Sequence, residues 1–317
     1  QQEWYNVKCK CESFASERIL RGQNIDMKKI FAAFLAVLML CSCAPQKPDD
    51  GRMTVYTSFY VMYNFTKMIA GDRADVKELI PPGVEAHDWE PGTSDMIALS
   101  NADVFVYNGA DMESWAESII GSIDSKNLKT IEAGEKIAKI NEDGKSVDPH
   151  VWLNPKNAIA ELEKITEGLC EKDQQNAEFY RRNLETAKSE IVQTDSEYRQ
   201  ETEKFSDKEI IVTHGAFAYL CAEYGLTQHM LEGLSGESDP SAASVRDIID
   251  YMKQNNKKAI FYVSSEGSKL AENIAAETGA SLYPLDTFEN GADGKSYVEV
   301  MRENLENLKK ALKNDEE

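Results

Sequence analysis

Apolar and polar positions change period many times along this chain, and the changes divide it into short elements. Alternating or β-branched runs predict strands at "MTVYT" (53–57), "DVKELI" (75–80), "DVFVY" (103–107) and "LKTIE" (128–132). Helical runs lie between them: "FYVMYNFTKMIAG", "GTSDMIALSNA" and "MESWAESIIGSI". The alternation returns with strands at "KEIIVT" (208–213), "TQHMLE" (227–232), "AIFYV" (259–263) and "SLYPL" (281–285). Helices near 216–224, 241–255 and 267–278 separate these, and a last one covers about 295–313. Such alternation implies parallel sheets with helices on their faces.

The middle of the chain has a different rhythm. After a shorter helix at 156–172, neither Gly nor Pro occurs from Gln174 to Phe205. Ala177, Tyr180, Leu184, Ala187, Ile191, Thr194 and Tyr198 recur at spacings of three and four, which puts them on one stripe of a single helix. Roughly 30 residues at 1.5 Å each make a rod of about 45 Å. A coiled-coil dimerisation segment would show the same stripe, but a rod between two α/β halves suits its central position. The predicted fold class is therefore α/β, with two (β/α) lobes of parallel sheet joined by one long helix. The lobes are expected at 53–173 and 206–317, with the linking helix at 174–205.

The N-terminal region reads as targeting sequence. From Met27 the chain runs "MKKIFAAFLAVLMLCSCAP", with Lys28 and Lys29 before an apolar run from Ile30 to Leu40. That run is short of the roughly 20 residues that cross a bilayer, and it fits the core of a secretory signal. "LCSC" at its end resembles a bacterial lipobox, which makes Cys43 the expected lipidation site. Residues 1–26 are then an upstream extension, 27–42 the signal peptide and 43–52 a short tether. The expected location is extracytoplasmic, lipid-anchored to the bacterial cell membrane. Residues 43–317 carry 29 basic and 51 acidic side chains, an acidity that argues against a nucleic-acid partner. Cys170 and Cys221 are the only cysteines beyond the leader and the lipid site, and either a disulfide or two buried thiols would suit an exported protein.

The chain has four histidines, and three share a context. His87 lies in a loop after the 75–80 strand, His150 in the Pro-rich "VDPHVWLNP" before a helix, and His214 at the end of a strand in "IIVTHGAF". Loops at strand C-termini are where open α/β sheets place their ligands. His229 falls within a predicted strand and reads as structural or exposed. From His87 it is 63 residues to His150, 64 more to His214, and 72 more to Asp286, which again follows a strand. Two candidates fall in each lobe, so a site using all four lies in the cleft between the lobes. Three neutral imidazoles and a carboxylate are a standard tetrahedral ligand set for Zn²⁺, and other first-row ions also accept them. Pro149 stiffens the backbone at His150. Asp88 and Asp148 are placed to accept the ring N–H that faces away from the ion.

These residues carry a resemblance. "PPGVEAHDWEPGTSDM" (81–96), "DPHVWLNP" (148–155), "IVTHGAFAYLCAEYGL" (211–226) and "EGLSGESDPSAASVRDII" (232–249) occur in the order seen in the zinc/manganese group of solute-binding lipoproteins of bacterial ABC importers. The chain resembles that family over nearly all of 53–313. The resemblance implies a rigid linking helix, metal ligands at His87, His150, His214 and Asp286, and capture of Zn²⁺ for an ABC transporter permease, with no catalysis. Manganese-tuned members often carry Glu where this chain has His214, and a third imidazole favours Zn²⁺ over Mn²⁺. The His-rich loop of many zinc-type members is absent, since "KINEDGKSVDP" (139–149) is short and acidic. Mn²⁺, or a mixture of the two ions, is therefore the alternative cargo. A zinc-dependent hydrolase with Asp286 as general base is a remote alternative, for it needs an open coordination position and the chain has neither HExxH nor a nucleophile elbow. A surface adhesin or chaperone-like lipoprotein that holds metal only for structure would unfold without it.

Overall fold

The computed structural model describes residues 51–313, apart from 124, 126, 142–146, 233–239, 264 and 292–293. The upstream extension, the signal peptide and the Cys43 lipidation site lie outside the described residues.

Two four-stranded sheets form, and every strand pair in them is parallel. The first contains β1 (Met53–Thr57), β2 (Ala74–Glu78), β3 (Val104–Tyr107) and β4 (Lys129–Glu132) in the order β2-β1-β3-β4. Helices α1 (Tyr60–Ala70), α2 (Thr93–Ser100) and α3 (Ala116–Ser122) connect its strands. The linking region follows as α4 (Pro155–Lys172) and α5 (Ala177–Thr202). The second sheet repeats the first, with β5 (Glu209–His214), β6 (Thr227–Glu232), β7 (Ala259–Tyr262) and β8 (Ser281–Pro284) in the order β6-β5-β7-β8. Its helices are α6 (Ala218–Tyr224), α7 (Ala242–Gln254), α8 (Ser265–Thr278) and the closing α9 (Tyr297–Leu312). In both sheets the order reverses beside the first strand, so the switch points lie between β1 and β3 and between β5 and β7. Ligand crevices open at such points.

Local sequence explains where the elements begin. Asn154 caps α4 by accepting the Lys156 N–H at 2.9 Å, and Pro155 takes the first helical position, where no N–H is needed. Ser296 and Glu299 form a capping box at the start of α9. The linking helix buries the stripe read from the sequence: Ala177, Tyr180, Ala187, Ile191, Thr194 and Tyr198 are buried, and Leu184 packs against the same core. At 1.5 Å per residue its 26 residues span about 39 Å. It packs on α1 and α4 toward one lobe and on α9 toward the other. Asn183 donates to the Ile69 carbonyl at 2.9 Å, and Tyr198 donates to the Met301 carbonyl at 2.7 Å.

One apolar cluster runs through both lobes. It includes Val55, Phe65 and Val104 on one side, Val212, Phe261 and Leu305 on the other, and Trp152 and Tyr297 between them. Trp152 is fully buried, and its indole N–H donates to the Thr287 carbonyl at 2.8 Å. Tyr297 returns the link, donating its hydroxyl to the Trp152 carbonyl at 2.7 Å. A buried, hydrogen-bonded junction of this kind resists wide opening. Cys170 and Cys221 are both free thiols. No helix among the described residues is long and apolar enough to cross a membrane.

Candidate metal centre

Loops that follow strands of both sheets bring four side chains together. His214 is the last residue of β5 and is buried. His150 follows Pro149, whose carbonyl accepts a hydrogen bond from Asn108 Nδ2 at 3.0 Å, just beyond β3. His87 comes from the loop after β2, and Glu289 from the loop after β8. These four are the one group of metal-ligating type among the described residues, with ligand atoms all within 4.8 Å of one another.

The spacing is that of a small coordination shell. His150 Nε2 lies 3.3 Å from His87 Nε2, 3.2 Å from His214 Nε2 and 3.1 Å from Glu289 Oε1. His87 Nε2 is 3.9 Å from Glu289 Oε2. Bonds of about 2.0–2.1 Å arranged tetrahedrally give ligand–ligand edges of about 3.3–3.4 Å. The three edges that meet at His150 therefore already stand close to the separations that one zinc-sized ion requires, and all four ligand atoms lie within 4.8 Å of one another. Glu289 is buried, and its Oε1 faces His150 Nε2, another member of the cluster, at 3.1 Å.

His150 is held from behind. Asp148 is fully buried, and its Oδ1 accepts the His150 backbone N–H at 2.9 Å and faces ring Nδ1 at 2.7 Å. An Nδ1–H donating to Asp148 leaves Nε2 pointing at the other three donors. Asp148 therefore stands where a carboxylate would orient the ring from behind. Asp88 does not, because it is exposed and has no hydrogen bond to an imidazole.

Burial pushes the His87 and His214 imidazoles down to about 4, so both are neutral at pH 7 and have a lone pair to offer. Burial also opposes charge on His150 and Glu289, but here it loses. The Glu289 and Asp148 carboxylates raise His150 well above the usual imidazole range, and His150 in turn holds Glu289 below the usual carboxylate range.

The expected fourth donor, Asp286, is not in the cluster. Its side chain is exposed, and its Oδ1 accepts the Phe288 N–H at 2.7 Å. Asn304 fixes its backbone, with Oδ1 accepting the Asp286 N–H at 2.8 Å and Nδ2 donating to its carbonyl at 2.7 Å. Asp286 therefore makes the turn, and Phe288 completes it with a left-handed φ of 68°, rare for an aromatic residue. The Phe288 ring is locked between Tyr60 and Tyr297 at centroid distances of 5.1 and 5.9 Å. The next residue, Glu289, is swung into the cleft. The available signal was "LDTFEN": an Asp just after a strand is a preferred turn former, and the longer acid three residues later is free to reach. His229 stays in β6, with its Nε2 3.2 Å from the Tyr251 hydroxyl and 3.5 Å from Glu209.

The same chain matches known proteins over nearly its whole folded length. The family model described as zinc-uptake complex component A periplasmic covers residues 55–311. The high-affinity zinc uptake system protein ZnuA of Bacillus subtilis is 36% identical in an alignment 305 residues long that covers 89% of this chain and 96% of that protein. The zinc-binding lipoprotein AdcA of Streptococcus pneumoniae is 34% identical over 89% of this chain, which spans only 61% of that longer relative. The crystal structure of the Zn(II)-bound ZnuA-like domain of that AdcA superposes with a TM-score of 0.75 at 32% identity, covering 83% of this chain and 100% of the domain. Two parallel-sheet lobes on one long helix are thus a shared fold, and the chain belongs to the family of periplasmic component A proteins of zinc-uptake complexes.

Proposed function

We propose that this protein captures Zn²⁺ between His87, His150, His214 and Glu289 and delivers it to the permease of an ABC importer. The observation that carries this reading is the set of four donors, three of them buried, whose ligand atoms all lie within 4.8 Å of one another, three of the edges being 3.1–3.3 Å. Three imidazoles and one carboxylate favour Zn²⁺ over Mn²⁺, which prefers oxygen. The Zn(II)-bound relative of the same fold supports that choice of ion. Mn²⁺ is the alternative cargo.

The protein carries its ion and does not react with it. Four protein donors fill a tetrahedral shell, whereas a catalytic zinc keeps one position for water or substrate. The base assigned in the hydrolase alternative, Asp286, spends its carboxylate on the Phe288 N–H. A signal peptide at 27–42 and a lipid on Cys43 would hold the protein outside the cytoplasm, beside its permease. The interlobe core through Trp152 and Tyr297 keeps the cleft assembled without metal, as a reversible carrier requires.

Calorimetric titration of the metal-stripped protein with Zn²⁺ and Mn²⁺ tests the reading. The expected result is one tight, chelator-reversible Zn²⁺ site on a protein that stays folded when stripped. Absence of zinc binding, or unfolding on removal of metal, would refute it.

A further inference from the structure

We propose that the Tyr219 hydroxyl is a positioning group for the metal centre, fixing the His150 arm against the helix that follows His214. The inference rests on the reading of the His/Glu cluster as a metal site.

His150 Nε2 is common to the three shortest donor–donor distances, so a shift of this one ring changes three edges together. The ring is set by the Asp148 carboxylate, and Asp148 is set by its own backbone. Its N–H donates to the Ile140 carbonyl at 2.9 Å. Its carbonyl accepts the Tyr219 hydroxyl at 3.0 Å. The same hydroxyl accepts the Ile140 N–H at 2.9 Å, which closes a three-residue bracket under Asp148. Tyr219 stands on α6, which begins four residues after His214. One buried oxygen thereby joins the element carrying one imidazole to the pin of another. The ring is 3% exposed and packed in the interlobe core, a role that Phe would fill equally well. Only the oxygen needs explaining, and both of its hydrogen bonds go to this bracket. Burial raises the phenol to about 12, so the proton it donates to Asp148 stays in place across the physiological range.

Residues that orient a metal ligand from behind typically alter affinity 10–100-fold when lost. Tyr219 acts one bond further out, so roughly a three- to tenfold effect is expected. A loosened His150 arm also relaxes the short edges that suit Zn²⁺, which narrows its preference over Mn²⁺.

The test is Tyr219→Phe in the full chain, stripped of metal and compared with the unsubstituted protein. The readouts are Zn²⁺ release to a chromophoric chelator, the ratio of Zn²⁺ to Mn²⁺ affinity, and the visible d–d band of bound Co²⁺, which reports tetrahedral geometry. The expected result is faster zinc release by about three- to tenfold, a smaller affinity ratio and an altered Co²⁺ band. Tyr224→Phe is the control, because that hydroxyl on the same helix donates away from the site, to Asp195 at 2.9 Å, and its loss should leave all three readouts unchanged. Native values for Tyr219→Phe overturn the proposal. So do equal effects from Tyr224→Phe, or a lower metal-free melting temperature with native metal readouts. If the unsubstituted protein binds neither Zn²⁺ nor Co²⁺, the functional reading fails and this inference with it.

Discussion

The exchange of Asp286 for Glu289 as fourth donor can be tested with two amide substitutions that keep side-chain size. Glu289→Gln removes a negative charge whose Oε1 lies 3.1 Å from His150 Nε2 and replaces a carboxylate with a weak neutral ligand. Its loss should cost more than that of an orienting partner, so at least a hundredfold in Zn²⁺ affinity is expected, about 2.7 kcal/mol. Asp286→Asn is the counterpart. Its side-chain oxygen can still accept the Phe288 N–H that Asp286 accepts at 2.7 Å, so the turn survives and only an exposed charge disappears. The affinity should stay within about threefold, roughly 0.7 kcal/mol. Competition against a chromophoric zinc chelator resolves both values on one scale. A loss for Asp286→Asn as large as that for Glu289→Gln would refute the assignment, since a turn-forming Asp has no reason to need its charge.

Alanine at His87, His150 or His214 should each lower Zn²⁺ affinity at least tenfold, about 1.4 kcal/mol, in the same competition assay, while alanine at His229 should leave it unchanged. His150 keeps its proton in the metal-free protein and the other two rings are neutral at pH 7, so binding should release about one proton and affinity should rise about tenfold per pH unit near neutrality. Calorimetry in buffers of different ionisation enthalpy measures that proton. His87 and His214 also titrate at lower pH in the fold than in the unfolded chain. Their contribution to metal-free stability is therefore complete above about pH 6.5 and is lost as the pH falls toward 4, which denaturant unfolding at pH 7.5 and 5 will detect. Trp152→Ala should destabilise the metal-free protein by about 3–5 kcal/mol in the same unfolding assay, because it empties a fully buried site at the lobe junction.

Much of this architecture was legible because its signals are local. Period-two runs gave all eight strands to within two residues, and the stripe from Ala177 to Tyr198 gave the linking helix. His150 and His214 were legible for the same reason: a Pro before one and a strand end under the other fix them through immediate neighbours. His87 was found by its place after a strand. The place of Glu289 in the cluster was not legible, because it depends on a left-handed Phe288 held by Tyr60 and Tyr297, residues more than two hundred positions away and nine positions away. Asp88 failed for a related reason, since adjacency in sequence did not turn its carboxylate toward the ring. The role of Tyr219 was equally hidden, because Ile140 and Asp148 meet it only in the folded chain.

The donors are far apart along the chain, 63 residues from His87 to His150 and 64 from there to His214, with Glu289 further still. No two of them can meet through a short flexible loop, so an unfolded chain offers an ion only isolated imidazoles and carboxylates. Affinity arises only when both lobes have folded and docked. The ion therefore cannot template folding, and nearly all of its binding energy stabilises the finished protein, by about 4 kcal/mol when free metal stands a thousandfold above Kd. A newly exported molecule must complete its fold before it competes for zinc, and a damaged one surrenders its ion as it unravels. Occupancy thus doubles as a certificate of structural integrity.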